Sequence, residues 1–134
     1  MIKFLLSTKS IALDLALLIL RISAGGMMMT HGWNKLMKFQ EKSVSWPDPL
    51  HVGSSISLGM TIFAELFCAG LLVVGLFSRL ALLPLLFLMT MAVFVIHAGD
   101  PFGDKEHAIL FLVPYAVLFL SGPGRYSLDR MMNK

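Results

Sequence analysis

Charge is what this sequence has least of. Lys and Arg number 11 and Asp and Glu 8, or 14% of the 134 residues, against about a quarter in soluble domains. Apolar residues make up 57% and fall in long runs, the arrangement a bilayer demands because it offers backbone groups no water to bond. An ordinary soluble domain is thereby excluded. The lone cysteine, Cys68, excludes an intrachain disulfide and a cysteine-based zinc site, and reads as a small core residue ahead of a redox thiol. The modest basic excess flanks the apolar runs without an aromatic-interleaved patch, which argues against nucleic acid as a partner. Phosphate-binding loops, dinucleotide fingerprints, Gly-x-Ser-x-Gly elbows and zinc-protease motifs are all missing, so the familiar soluble chemistries have no support. Nor is there an internal repeat or an unwound midplane segment, which disfavours a small proton-coupled transporter.

What is present is a set of apolar runs. Helices are expected over about 11–30, 56–76, 80–97 and 106–121, with a long loop at 32–55, in a single domain covering 1–134. A span needs about 20 residues to cross a hydrocarbon core near 30 Å, which the first three runs supply; the last is short, and Pro114 within it is expected to kink it. The first run is too long for a signal peptide and contains Asp14 and Arg21, so it reads as a retained helix. Lys3, Lys9, Arg79, Arg125, Arg130 and Lys134 gather on one side of the runs. By the positive-inside rule that side is cytoplasmic. The expected fold class is an all-α membrane protein, a four-transmembrane-helix bundle with both termini in the cytoplasm (N-in/C-in).

Two intramembrane charges demand partners. Arg21 in an apolar span costs about 2.5 to 3.5 kcal/mol on the lenient insertion scale, and Glu65 stands near the centre of the second run. Asp14 lies within roughly 20° of Arg21 on a helix, and Gly25, Gly32 and Lys35 extend that stripe. Judged by depth, Arg21 and Glu65 are expected to pair. The pair reads either as a structural lock or as a proton-handling or ligand-anchoring site. His31, His51, His97 and His107 all fall on the outer side, where imidazoles could meet haem iron, a metal or a quinone carbonyl, or simply sit at the interface. No i, i+4 histidine pair is present, so no metal site is assigned. Met27, Met28 and Met29 point about 100° apart and cannot share one ion. Trp33 and Trp46 fit an interfacial belt, and the loop carrying Trp46 either folds over the bundle as a lid or stays apart from it.

Several motifs resemble the DoxX family of small bacterial membrane proteins. They are Leu20-Arg21 with Gly25, His31-Gly32-x-x-Lys35, Glu65 with Gly70, Gly75-Leu76-x-x-Arg79, the stretch from Glu106 to Leu110, and the tail Gly122-Pro123-Gly124-Arg125-Tyr126-Ser127-Leu128-Asp129. The resemblance implies a four-helix protein of the bacterial inner (plasma) membrane, a component or partner of quinone-linked redox systems. The polar residues concentrated toward the outer half make Arg21, His31, Lys35, Glu65, His97 and Glu106 the ligand-binding candidates. The structural motif residues are Gly25, Gly32, Gly122, Pro123, Gly124 and Asp129. The leading expectation is a redox-associated subunit that binds a quinone-like lipid or a partner protein near the outer side; haem at His31, His97 or His107 ranks below a quinone. The alternative is a non-enzymatic membrane scaffold or assembly factor. Membrane lipid, membrane redox proteins and further copies of the chain are the partners such a protein would meet.

Overall fold

The computed structural model describes residues 1–133, and among them there is no strand. A short exposed helix, α1 (Ile2–Leu5), precedes the long α2 (Leu13–Met37). After α3 (Phe39–Lys42) comes α4 (Ser54–Ile62), which runs through a π-helical segment (Phe63–Cys68) into α5 (Ala69–Val74). A tight turn leads to α6 (Ser78–Met91), which continues through a second π-helical segment (Ala92–Ile96). The chain closes with α7 (Phe102–Ser121) and the short α8 (Leu128–Met132).

Three stretches are long and apolar enough to cross a membrane: Leu13–Met37, Ser54–Val74 and Ser78–Ile96. α7 has 20 residues but opens with Asp104, Lys105 and Glu106, and these charges dilute its first turns. Pro114 lies inside α7 without ending it. The three spans and α7 enclose one core built on Leu72, Leu82, Leu85, Tyr115 and Leu118, all fully or almost fully buried. The large side chains left outside, among them Ile19, Ile22, Phe67, Leu83 and Phe94, are apolar. A soluble helix would turn a polar face outward, so this inverted surface is one that lipid solvates.

The first span differs from expectation in length. α2 continues past residue 30 through Gly32 to Met37, and this moves its midpoint to Gly25. The small residues explain how it packs. A Cβ on Gly25 would stand 3.0 Å from the Ala69 carbonyl oxygen, and one on Gly32 would stand 2.9 Å from the backbone of Glu65 and Leu66. Glycine at both positions lets α2 lie directly on the second span along its length, the small-residue contact typical of membrane helices.

The start of α2 and the tail after α7 gather at one end of the spans, and there a polar clasp holds the helices. Buried Arg21 donates from Nη1 to the Pro123 carbonyl (2.5 Å), from Nη2 to Tyr126 (2.7 Å) and, at 3.4 Å, to Val73. The second span ends in a left-handed Gly75 (φ +75°), whose carbonyl accepts from the Asp129 N–H. Asp129 in turn accepts from the N–H groups of Phe77 (2.7 Å) and Ser78 (2.8 Å), capping α6 from across the chain. Burial works against a charged Asp129, but these two N–H bonds and the nearby Arg21 outweigh it and hold the carboxyl below its usual range. Asp14 accepts from the Arg125 N–H, and Arg79 donates to the Phe119 carbonyl at the end of α7. The expected structural motif residues Gly122, Pro123, Gly124 and Asp129 thus belong to a knot that ties all the long helices together at one end.

Candidate functional site

The opposite end, where residues 38–53 connect α2 to α4, holds the other concentration of polar groups. The expected Arg21–Glu65 pair does not form. Arg21 meets the far end of the second span at Val73, while Glu65 lies against Gly32. Eleven residues, about 16 Å at roughly 1.5 Å per residue, separate Arg21 from Gly32 along α2. The depth comparison assumed that α2 stopped near residue 30; its extra turns put Glu65 level with the last third of the helix. The partner of Glu65 is Lys35, whose Nζ donates to Oε1 at 2.7 Å and to Oε2 at 2.5 Å. The Glu65 side chain is 5% exposed and that of Lys35 19%. One ion pair has formed, with a different cation.

Local structure positions Glu65. It falls within the π-helical segment Phe63–Cys68, where one extra residue per turn rotates the side chains relative to a regular helix. π segments occur preferentially at functional sites. The second, Ala92–Ile96, ends at His97, whose N–H donates to the Ala92 carbonyl. Both π segments flank the same cavity.

That cavity has a volume of about 550 Å³, within the range of sites for drug-sized ligands. Met28, Met60, Phe87, Leu88 and Met89 give it an apolar wall, and Lys35, Glu65, Thr61, His31 and His107 place polar groups along one side. The His31 and His107 rings meet edge to face, their centroids 4.8 Å apart, and both rest on Phe111. His97 also lines the cavity, and its Nδ1 lies 2.8 Å from Asp100 Oδ2.

The loop forms the roof. Trp46, Pro47, Pro49 and Leu50 line the cavity, and the Trp46 ring lies 5.7 Å from Lys35 Nζ and 5.9 Å from Lys42 Nζ, within cation–π range. Asp48 closes the loop on itself just before α4 by accepting from the N–H groups of Val52 (3.0 Å) and Gly53 (2.7 Å). The Ser57 hydroxyl donates to the Pro47 carbonyl at 2.7 Å. Of the two arrangements open from sequence, the loop takes the one that covers the helices.

The structure therefore brings His31, Lys35, Glu65 and His97 to one cavity and leaves Arg21 in the clasp at the other end. Glu106 is exposed on α7, and its neighbours Asp104 and His107 line the cavity instead. His51 is exposed on the loop with φ +57°. Among the described residues, no three His, Cys, Asp or Glu side chains come together as a metal-holding group. Trp46 and Asp104 escaped the sequence reading as site residues. The rigid Trp46-Pro47-Asp48-Pro49 stretch was the available signal for the first.

Fold and site together define a small helical membrane protein with a polar-headed apolar cavity under a loop. Residues 16–98 match the DoxX family, and the chain belongs to it. An uncharacterized membrane protein of Mycobacterium tuberculosis is 30% identical over 138 aligned positions, covering 86% of this chain and 80% of the relative. An uncharacterized protein of Haemophilus influenzae is 26% identical over 134 positions, covering 94% and 89% of the two chains. No solved structure matches. The family match spans Arg21, His31, Lys35, Glu65 and His97 and stops short of α7 and the tail.

Proposed function

We propose that this protein is an inner-membrane subunit that binds a quinone-like lipid in the loop-end cavity and works alongside membrane redox proteins. One observation carries the reading: an apolar cavity of about 550 Å³ whose polar groups converge on the Lys35–Glu65 pair. The residues present fit such a ligand. Lys35 Nζ and the imidazoles of His31 and His107 supply donors for a carbonyl oxygen, Trp46 offers a flat face for a ring, and the remaining wall suits a hydrocarbon chain. A bound quinone would supply the electron chemistry. The chain's own part is to bind and orient the ring, and to exclude water beneath the Trp46 roof.

In this reading α7 is the fourth span, its charged first turn standing at the membrane surface. The clasp end faces the cytoplasm, because Lys3, Lys9, Arg79, Arg125 and Arg130 cluster there. A titration tests the binding. Quinones quench tryptophan fluorescence on contact, and Trp33→Phe leaves Trp46 as the reporter. In this variant, reconstituted in nanodiscs, a decyl-chain benzoquinone is expected to give saturable quenching. Affinity should fall about tenfold or more in Glu65→Gln and in His31→Ala, the loss of about one charge-assisted hydrogen bond or ring contact. Unsaturable quenching identical in all three proteins would remove the reading.

A further inference from the structure

The cavity wall is not buried all round. Thr61, Ala64 and Glu65 are buried, whereas Met60, Phe63 and Phe87 line the same cavity and are 48%, 52% and 52% exposed. Side chains that face both a cavity and the outside of a span mark its mouth. Phe87 stands at the midpoint of Ser78–Ile96, and Phe63 adjoins Ala64 at the midpoint of Ser54–Val74. The mouth consequently opens at hydrocarbon depth, where the neighbours are acyl chains.

Helix packing accounts for the gap. The second and third spans approach closely through the Phe63–Cys68 segment and α5, which both pack on α6; beyond them α4 packs on α2 instead. On the other side of the mouth α6 carries Pro84, which lacks the N–H that an interior helical position normally uses and itself lines the cavity. Two helices that part at mid-membrane leave a slot between them.

We infer that this slot is a lateral portal: the ligand enters from within the bilayer between Met60 and Phe63 on one side and Phe87 on the other, and keeps its hydrocarbon chain in the slot while its head reaches Lys35 and Glu65. The inference rests on the binding reading above and adds the route and the need for a chain. The occupant is a lipid-soluble molecule with a flat, acceptor-bearing head and a hydrocarbon chain. Lys35 and the aromatic roof face the head, and only apolar side chains line the mouth. Ligand drawn from solution would have to pass the loop, which Ser57 pins to α4 through the Pro47 carbonyl.

Stopped-flow quenching of Trp46 in the Trp33→Phe protein in nanodiscs tests the route with two probes, a decyl-chain benzoquinone and the same ring without its chain. Met60→Cys in the Cys68→Ser background, labelled with N-cyclohexylmaleimide, plugs the mouth. The plug should slow association of the chain-bearing probe about tenfold, and the bare ring, with no chain to hold in the slot, should bind the unplugged protein about tenfold more weakly than the chain-bearing probe. Phe87→Ala, which needs no label and widens the mouth, should speed the chain-bearing probe. If both probes bind saturably and neither variant changes the rate of the chain-bearing one, the portal is refuted while the site stands. If neither probe binds saturably to the unplugged protein, the site itself is refuted and the portal with it.

Discussion

Removing the Lys35 ammonium would strand the Glu65 carboxylate in an apolar cavity wall, with no other cation among the described residues within bonding distance. Breaking one partner of a buried ion pair costs about 3 to 5 kcal/mol, whereas replacing both with apolar groups of similar volume is often neutral. Lys35→Ala is thus expected to lower thermal stability in detergent sharply, and Lys35→Met with Glu65→Leu to restore most of it. Ligand quenching of Trp46 should be lost in both, which separates the pair's role in binding from its role in folding. Arg21 makes the opposite case. Its fork bridges carbonyls of three residues, Val73, Pro123 and Tyr126, a geometry that a lysine ammonium on a single stem cannot reproduce. Arg21→Lys is expected to cost about 2 to 3 kcal/mol, one or two charge-assisted hydrogen bonds, and to leave quenching of Trp46 intact.

At the scale of elements, the caps and helix contacts decide how the spans are held. Asp129 is the cap of α6 although it lies in the tail, so Asp129→Ala should cost about 1 to 2 kcal/mol, as loss of a helix N-cap does. The sign of its pH dependence follows from its depressed carboxyl. The stabilisation is complete above the ordinary carboxyl value, about 3.9, and fades as pH falls through the lower folded value. Asp129→Ala should therefore flatten the acid limb of a stability profile read by thermal melts. Gly32→Ala would push a methyl against the backbone at Glu65, and overpacking of this kind costs about 1 to 3 kcal/mol. It should also loosen the Lys35–Glu65 pair, visible as weaker ligand quenching. These contacts were partly legible beforehand. The stripe of Gly25, Gly32 and Lys35 on α2 came from helical spacing, and the tail motif stood out as a unit. The helix end at Met37 did not, because Trp33, Asn34 and Lys35 look like an interfacial exit, and tertiary contact with the second span carries the helix past them. That one boundary misassigned the partner of Glu65. The π segments were invisible too, since the sequence Phe63 to Cys68 is an unremarkable apolar stretch in which packing selects the hydrogen-bond register.

The whole molecule has two polar ends with different work. The clasp end saturates its charges on backbone groups: Arg21 on carbonyls, Asp129 and Asp14 on N–H groups, Arg79 on the end of α7. The loop end gathers Lys35, Glu65, His31 and His107 around the apolar-walled cavity. Hydropathy made the spans readable and located the histidines on one side, but it could not show that Trp46 reaches back over Lys35 from a loop, a contact set by long-range folding. The division of labour between the ends is tested most directly by one comparison: equilibrium quenching of Trp46 by a decyl-chain benzoquinone in Arg21→Lys and Glu65→Gln proteins, each in the Trp33→Phe background and measured below its melting temperature. Unchanged affinity in Arg21→Lys with an affinity about tenfold or more weaker in Glu65→Gln is the expected result; equal affinity in the two proteins would contradict it.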